Sequence, residues 1–165
     1  MRRMIGKRLI KTHTKKIQRV MLDHLQFGVA VPGGAEALVH ARDLIESGAK
    51  NGVHGPIAVI DVDLVNCFGR FEWTAVIGAL EKLIPELVPW VKWATRCADR
   101  VRLPSSEWVA SNRGTGQGEP EGPTKAAATI AEAVDKARAE LGKQAVARGG
   151  APEGGVWAWY IDDAW

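Results

Sequence analysis

The chain has 165 residues, 46% of them apolar and 25% charged, with a formal net charge of +3. That is the size and composition of one globular domain with its own core, and no apolar run approaches the roughly 20 residues needed to cross a bilayer. Two cysteines (Cys67, Cys97) and four scattered histidines make neither a disulfide framework nor a zinc spacing, so the expected setting is intracellular, with reduced thiols, no disulfide partner and no membrane.

The charge is uneven. The first twenty residues hold eight Lys/Arg and no acid, while the remainder holds fourteen Lys/Arg against nineteen Asp/Glu. This start reads as a polyanion contact, a solvated helix face or an acid-poor targeting segment. Residues 5–25 have helical periodicity, with Ile5, Leu9, Ile17, Met21 and Leu25 on one stripe. An extended piece, 26–31, runs to Pro32-Gly33-Gly34. A helix over 35–47 follows, with Leu38, Ala41 and Leu44/Ile45 inward and Gly48 at its end. The glycines at its start suit either a phosphate or a plain connection.

After a Gly-rich loop, residues 56–63 predict a central strand, apolar on both faces until it meets Asp61 and Asp63. Helix signals resume at Glu72 with Val76, Leu80 and Leu83/Ile84 in register, broken by Pro85 and Pro89. A second helical piece covers 90–100, with Trp90, Trp93, Ala94 and Cys97 on one side, and short strands are expected at 101–103 and 107–110. The glycine-dense loop 113–123 feeds a helix over 124–141, with Ile130, Val134, Ala137 and Leu141 buried and Gly142 as its stop. The last strand, Val156-Trp157-Ala158-Trp159-Tyr160-Ile161, climbs into Asp162-Asp163. The order predicts an α+β fold, a small antiparallel sheet with helices packed on one face.

Adjacent carboxylates at a strand end either cap a polar turn or hold a cation; with no His or Cys nearby, that cation is Mg²⁺ or Mn²⁺. Asp61 or Asp63 would join Asp162 and Asp163 if the two strands are neighbours, framing a two-metal site. The loop Gly114-x-Gly116-x-Gly118 lacks the third glycine of a dinucleotide fingerprint and is followed by no Gly-Lys-Ser/Thr, so neither nucleotide loop fits.

Three motifs together resemble the reverse transcriptases, in particular those of non-long-terminal-repeat retrotransposons. Asp63-Leu64-Val65-Asn66-Cys67-Phe68 looks like the first palm motif, Gln117-Gly118-Glu119-Pro120-Glu121-Gly122-Pro123 like the second, and Tyr160-Ile161-Asp162-Asp163 like the third. Gln26-Phe27-Gly28 with Gly33-Gly34-Ala35-Glu36-Ala37 is similar to the fingers segment that precedes them. The resemblance implies a single incomplete domain over 1–165: fingers-side helices at 1–50, a palm at 51–165 and no thumb. It implies an RNA-directed DNA polymerase joining dNTPs to a primer 3′-hydroxyl, with RNA template and DNA primer as partners, nuclear if part of a retrotransposon protein.

It also assigns roles. Asp63, Asp162 and Asp163 would be the catalytic acids and, with the Leu64 carbonyl, the Mg²⁺ (or Mn²⁺) ligands. Phe68, Gln117, Gly118 and Tyr160 would surround the nucleotide. Phe68 would crowd a ribose 2′-hydroxyl and leave it unpaired, at roughly 1–3 kcal/mol. Arg2, Arg3, Arg8 and Lys11 are candidates for triphosphate or template contacts. Two departures stand out: Glu119 replaces the usual Asp, and Thr124-Lys125-Ala126-Ala127-Ala128 replaces bulkier apolar residues. The alternatives are an RNA-directed RNA polymerase palm, or a degenerate fragment that only binds nucleic acid. The resemblance further leads one to expect a final strand without its hairpin partner, and poor polymerisation by this chain alone.

Overall fold

The computed structural model describes residues 2–53, 61–97, 99–116, 118–147, 158–160 and 163–164. Helix dominates. The elements in order are α1 (Arg2–Asp23), α2 (Gly34–Lys50), β1 (Val62–Asp63), α3 (Cys67–Arg70), α4 (Trp73–Leu83), a 3₁₀ turn (Pro85–Leu87), α5 (Val88–Thr95), β2 (Asp99–Arg102), β3 (Trp108–Ser111), α6 (Gly122–Ala147), β4 (Trp159–Tyr160) and β5 (Asp163–Ala164).

The core lies where α1, α4, α5 and α6 meet. Ile17 and Met21 of α1, Val76 and Leu80 of α4, Ile84 and Leu87 at the turn, and Val91 of α5 are all buried, against Ala127 and Ala128 of α6. These alanines sit at the contact itself, where small side chains let α6 approach α4. A second cluster, Cys67 with Ile130 and Val134, fastens α3 to α6.

The expected short strands at 101–103 and 107–110 are present as β2 and β3, shifted by one or two residues. β1 pairs antiparallel with β5, and β5 with β4, in a three-stranded sheet ordered β1-β5-β4. β2 and β3 form a separate hairpin. Of the predicted buried strand 56–63, residues 56–60 lie outside the described residues; Val62–Asp63 form β1, and Asp61, Val62 and Asp63 are exposed rather than buried. The final strand does have a hairpin partner, since Tyr160 pairs with Asp163 and Trp159 with Ala164.

Helix ends also moved. α2 continues past Gly48 to Lys50, and α6 past Gly142 to Ala147. A mid-helix glycine costs about 1 kcal/mol relative to alanine, which good helix formers on both sides offset. Lys143 and Gln144 both reach Glu140 across one turn. The stripes are shorter than predicted: Ile5, Leu44, Ala137 and Leu141 are exposed, because the core ends before those turns do. α5 stops at Thr95 rather than near Arg100. Residues 26–31 are not extended: Gln26 is buried and its Oε1 accepts from the Gly28 N–H at 2.8 Å, and Ala30 has φ +57°. Gly34 is a packing glycine, since a Cβ there would collide with the Phe27 carbonyl.

Candidate active site

The register of the small sheet sets Asp63 directly opposite Asp163, with Cα atoms about 4.5–5.5 Å apart as in any antiparallel pair. Asp61 is drawn elsewhere. Its carboxylate accepts from Arg42 Nη1 at 3.3 Å, and Arg42 Nε bonds Glu46 at 2.9 Å. The bond to Glu46, then the charge of Asp61, raises the Arg42 pKa, and the same bond from Arg42 holds the Glu46 carboxyl below its ordinary range. Of Asp61 and Asp63, it is Asp63 that β1 carries into register with the last hairpin.

Past β1 the chain turns sharply. Asn66 adopts φ +52°, a left-handed conformation that asparagine tolerates better than most residues. Cys67 N–H donates to the Leu64 carbonyl at 3.1 Å, closing the turn. The turn starts α3 and sets Phe68 half-buried on a cavity wall.

The loop leading into the second motif is tied through backbone to the end of the first and to the residues after it. Thr115 N–H donates to the Phe68 carbonyl and Gly114 N–H to the Phe71 carbonyl, both at 2.7 Å, and Trp73 Nε1 donates to the Gly114 carbonyl at 2.9 Å. Gly114 has φ +85°, and a Cβ there would lie 2.9 Å from the Phe68 oxygen. Only glycine fits both demands.

Between these segments lies a cavity of about 700 Å³. Asn66, Phe68 and Gly69 form one wall, Gly114–Gly116 and Glu119 a second, Val109–Arg113 a third, and Arg2 and Lys125 also border it. Lys125 is buried, and its Nζ meets Glu119 Oε2 at 2.5 Å. Arg2 Nη2 donates to the Ala94 carbonyl at 2.6 Å and lies 4.0 Å from Glu119 Oε1. Glu121, also buried, accepts from Trp90 Nε1 at 2.8 Å, and its other oxygen packs on Gly6, where a Cβ would collide with it.

Of the four candidate cations on α1, Arg2 borders the cavity. Arg3, Arg8 and Lys11 are exposed away from it, with Arg8 beside a separate apolar groove of Met4, Ile5, Leu9 and Thr12. Gly118 is exposed with φ +84°. Tyr160 is exposed on β4. Gln117 and Asp162 lie outside the described residues. Among the described residues no group of three or more His, Cys, Asp or Glu is arranged around a metal position.

Sequence reasoning missed Lys125, Asn66 and Trp73. A lysine between buried Thr124 and Ala126 in the first turn of an apolar helix was the available signal for a buried cation. Trp73 carried none, because its partner is a backbone carbonyl forty-one residues away. No family model, curated protein or solved structure matches the chain.

Proposed function

We propose that this chain carries the palm of an RNA-directed DNA polymerase, with part of its fingers, and takes RNA template, DNA primer and dNTPs. The observation that carries the reading is the β1–β5 register, which brings Asp63 of the first motif opposite Asp163 of the third across a hundred residues of chain. Like charges directly opposite in a ladder repel, and an all-oxygen donor set suits Mg²⁺ or Mn²⁺. The donor chemistry suits such an ion: Asp63, Asp163 and the Leu64 carbonyl would hold it, with Asp162, adjacent in sequence. Bound there, the metal supplies charge neutralisation and orientation for nucleotidyl transfer.

The chain's own groups would do the positioning. Phe68 on the cavity wall presents a ring where a ribose needs a partner for its 2′-hydroxyl. Gly114 and Thr115, bonded to the backbone of α3 and its following residue, would anchor the loop that leads into the second motif. Arg2 would supply positive charge at the cavity edge for a triphosphate, while Lys125 is held by Glu119.

The test is single-nucleotide addition to a DNA primer on an RNA template in Mg²⁺ and in Mn²⁺, with dNTPs against rNTPs. Weak addition from dNTPs alone, lost in Asp63→Asn and kept in Asp61→Asn, is the expected result. Addition from rNTPs favours the RNA polymerase alternative. Failure both to add a nucleotide and to bind dNTP in a metal-dependent way overturns the reading in favour of a non-catalytic nucleic-acid-binding fragment.

A further inference from the structure

The β2–β3 hairpin is exposed, and its register decides what each face displays. Arg102 pairs with Trp108 and Arg100 with Ala110. Residues directly opposite, and residues two apart on a strand, share a face. Arg100, Arg102, Trp108 and Ala110 therefore stand together. Trp108 is 61% exposed and both arginines are exposed.

The charges on this face differ from those elsewhere. Over much of the surface, cations meet acids: Lys16–Glu86, Lys82–Glu132, Lys92–Glu81 and Lys136–Glu132 all lie within 2.9 Å. Among the described residues neither Arg100 nor Arg102 has a carboxylate partner. Arg102 reaches only the Ser106 hydroxyl at 3.4 Å, and Glu107, the nearby acid, is taken by Ser105 at 3.2 Å. An exposed indole flanked by two guanidinium groups without acid partners costs the protein solubility and returns nothing to its core.

We infer that this hairpin face binds single-stranded nucleic acid, with Trp108 stacking on a base and Arg100 and Arg102 on successive phosphates. Two residues along a strand span about 6.7 Å, comparable to the step between phosphates of an extended strand. A base offers Trp108 a π-face, which an acidic peptide does not, and this favours nucleic acid over protein as the partner. Ala110 of this face also borders the cavity, so a strand laid on the hairpin reaches the cavity rim. The inference draws on the hairpin alone and stands whether or not the chain polymerises.

The test is fluorescence anisotropy of labelled single-stranded RNA and DNA 12-mers on the full chain in EDTA, which removes any contribution from metal or catalysis. Trp108→Ala is expected to weaken binding about tenfold, within the range of one base stacked on an aromatic ring, and Trp108→Phe to restore most of it. Arg100→Gln with Arg102→Gln is expected to reduce the slope of log affinity against log salt by about 1.4, two single-strand phosphate contacts. Unchanged affinity in all these variants, or a loss seen only when Lys11 and Lys15 on α1 are reversed to Glu, overturns the inference. Binding of poly-glutamate as tightly as RNA, with Trp108→Ala indifferent, overturns it in favour of an acidic protein partner.

Discussion

Glu119 and Lys125 are each explained by the other. A glutamate in place of the shorter acid reaches the buried Lys125 ammonium at 2.5 Å, and a lysine at the start of an apolar helix turn is tolerated because that carboxylate is there. Breaking such a pair from one side strands a charge. Glu119→Gln should therefore cost about 2–3 kcal/mol, below the 3–5 of a fully buried pair because Glu119 is 25% exposed. Adding Lys125→Met should recover most of that loss; urea denaturation of the two variants measures both. Gly114→Ala meets strain of a different origin, at φ +85° and against the Phe68 carbonyl, and is expected to lower stability by about 1–3 kcal/mol in the same assay. Phe68→Ala tests the sugar: relaxed exclusion of a 2′-hydroxyl worth roughly 1–3 kcal/mol predicts about tenfold better rNTP use relative to dNTP in the primer assay. At this scale the acids were legible, because a carboxylate pair after an apolar run is conspicuous in any sequence. Which acid faces which was not, since Asp61 and Asp63 differ only through a sheet register and through Arg42, nineteen residues away from Asp61.

Among the elements, α6 binds the others. It carries Ala127 and Ala128 into the main core, Ile130 and Val134 onto α3, and Glu132 towards α4. Hydrogen bonds from Lys82 and then Lys136 hold the Glu132 carboxyl down to about 2, from an ordinary 4.5. A carboxylate whose folded pKa is depressed stabilises the fold above its unfolded value, and that contribution is lost as pH falls from about 4.5 towards about 2. Glu86, held low mainly by Lys16, acts in the same direction. The groups are exposed, so the effect is small and screened by salt. The expected observation is a denaturation midpoint that falls through this acid window at low salt, less steeply in Glu132→Gln. Leu80, fully buried in α4, tests the packing: Leu80→Ala should cost about 2–5 kcal/mol. The existence and order of the helices were legible from periodicity. Their ends were not, because Gly48 and Gly142 read as stops, whereas the helices continue through both. α3 was missed outright, since four residues give no period to read.

Across the whole molecule, burial is lopsided. α1, α4, α5 and α6 share the core, while α2 buries only Gly34 and Leu38 and exposes Val39 and Leu44. Elements with few buried contacts open first. Amide exchange is expected to be faster throughout α2 than in α4, by mass spectrometry of deuterated chain. An apolar count shows that a core exists, but the partners of each helix depend on contacts between residues far apart in sequence, such as Trp90 with Glu121. The strands suffered most from this gap. An apolar run reads as a buried strand, but at the end of the first such run the described residues Asp61, Val62 and Asp63 are exposed.

The indoles of Trp90 and Trp93 stack with centroids 5.0 Å apart and planes inclined by 26°. Chromophores that close share their excited states, so this pair should give the protein a two-signed band of circular dichroism that no isolated indole produces. Trp90 is also the residue bonded to Glu121. The band is therefore a built-in optical gauge of whether α5 still grips the loop behind the cavity, readable without any label, and Trp93→Phe should erase it.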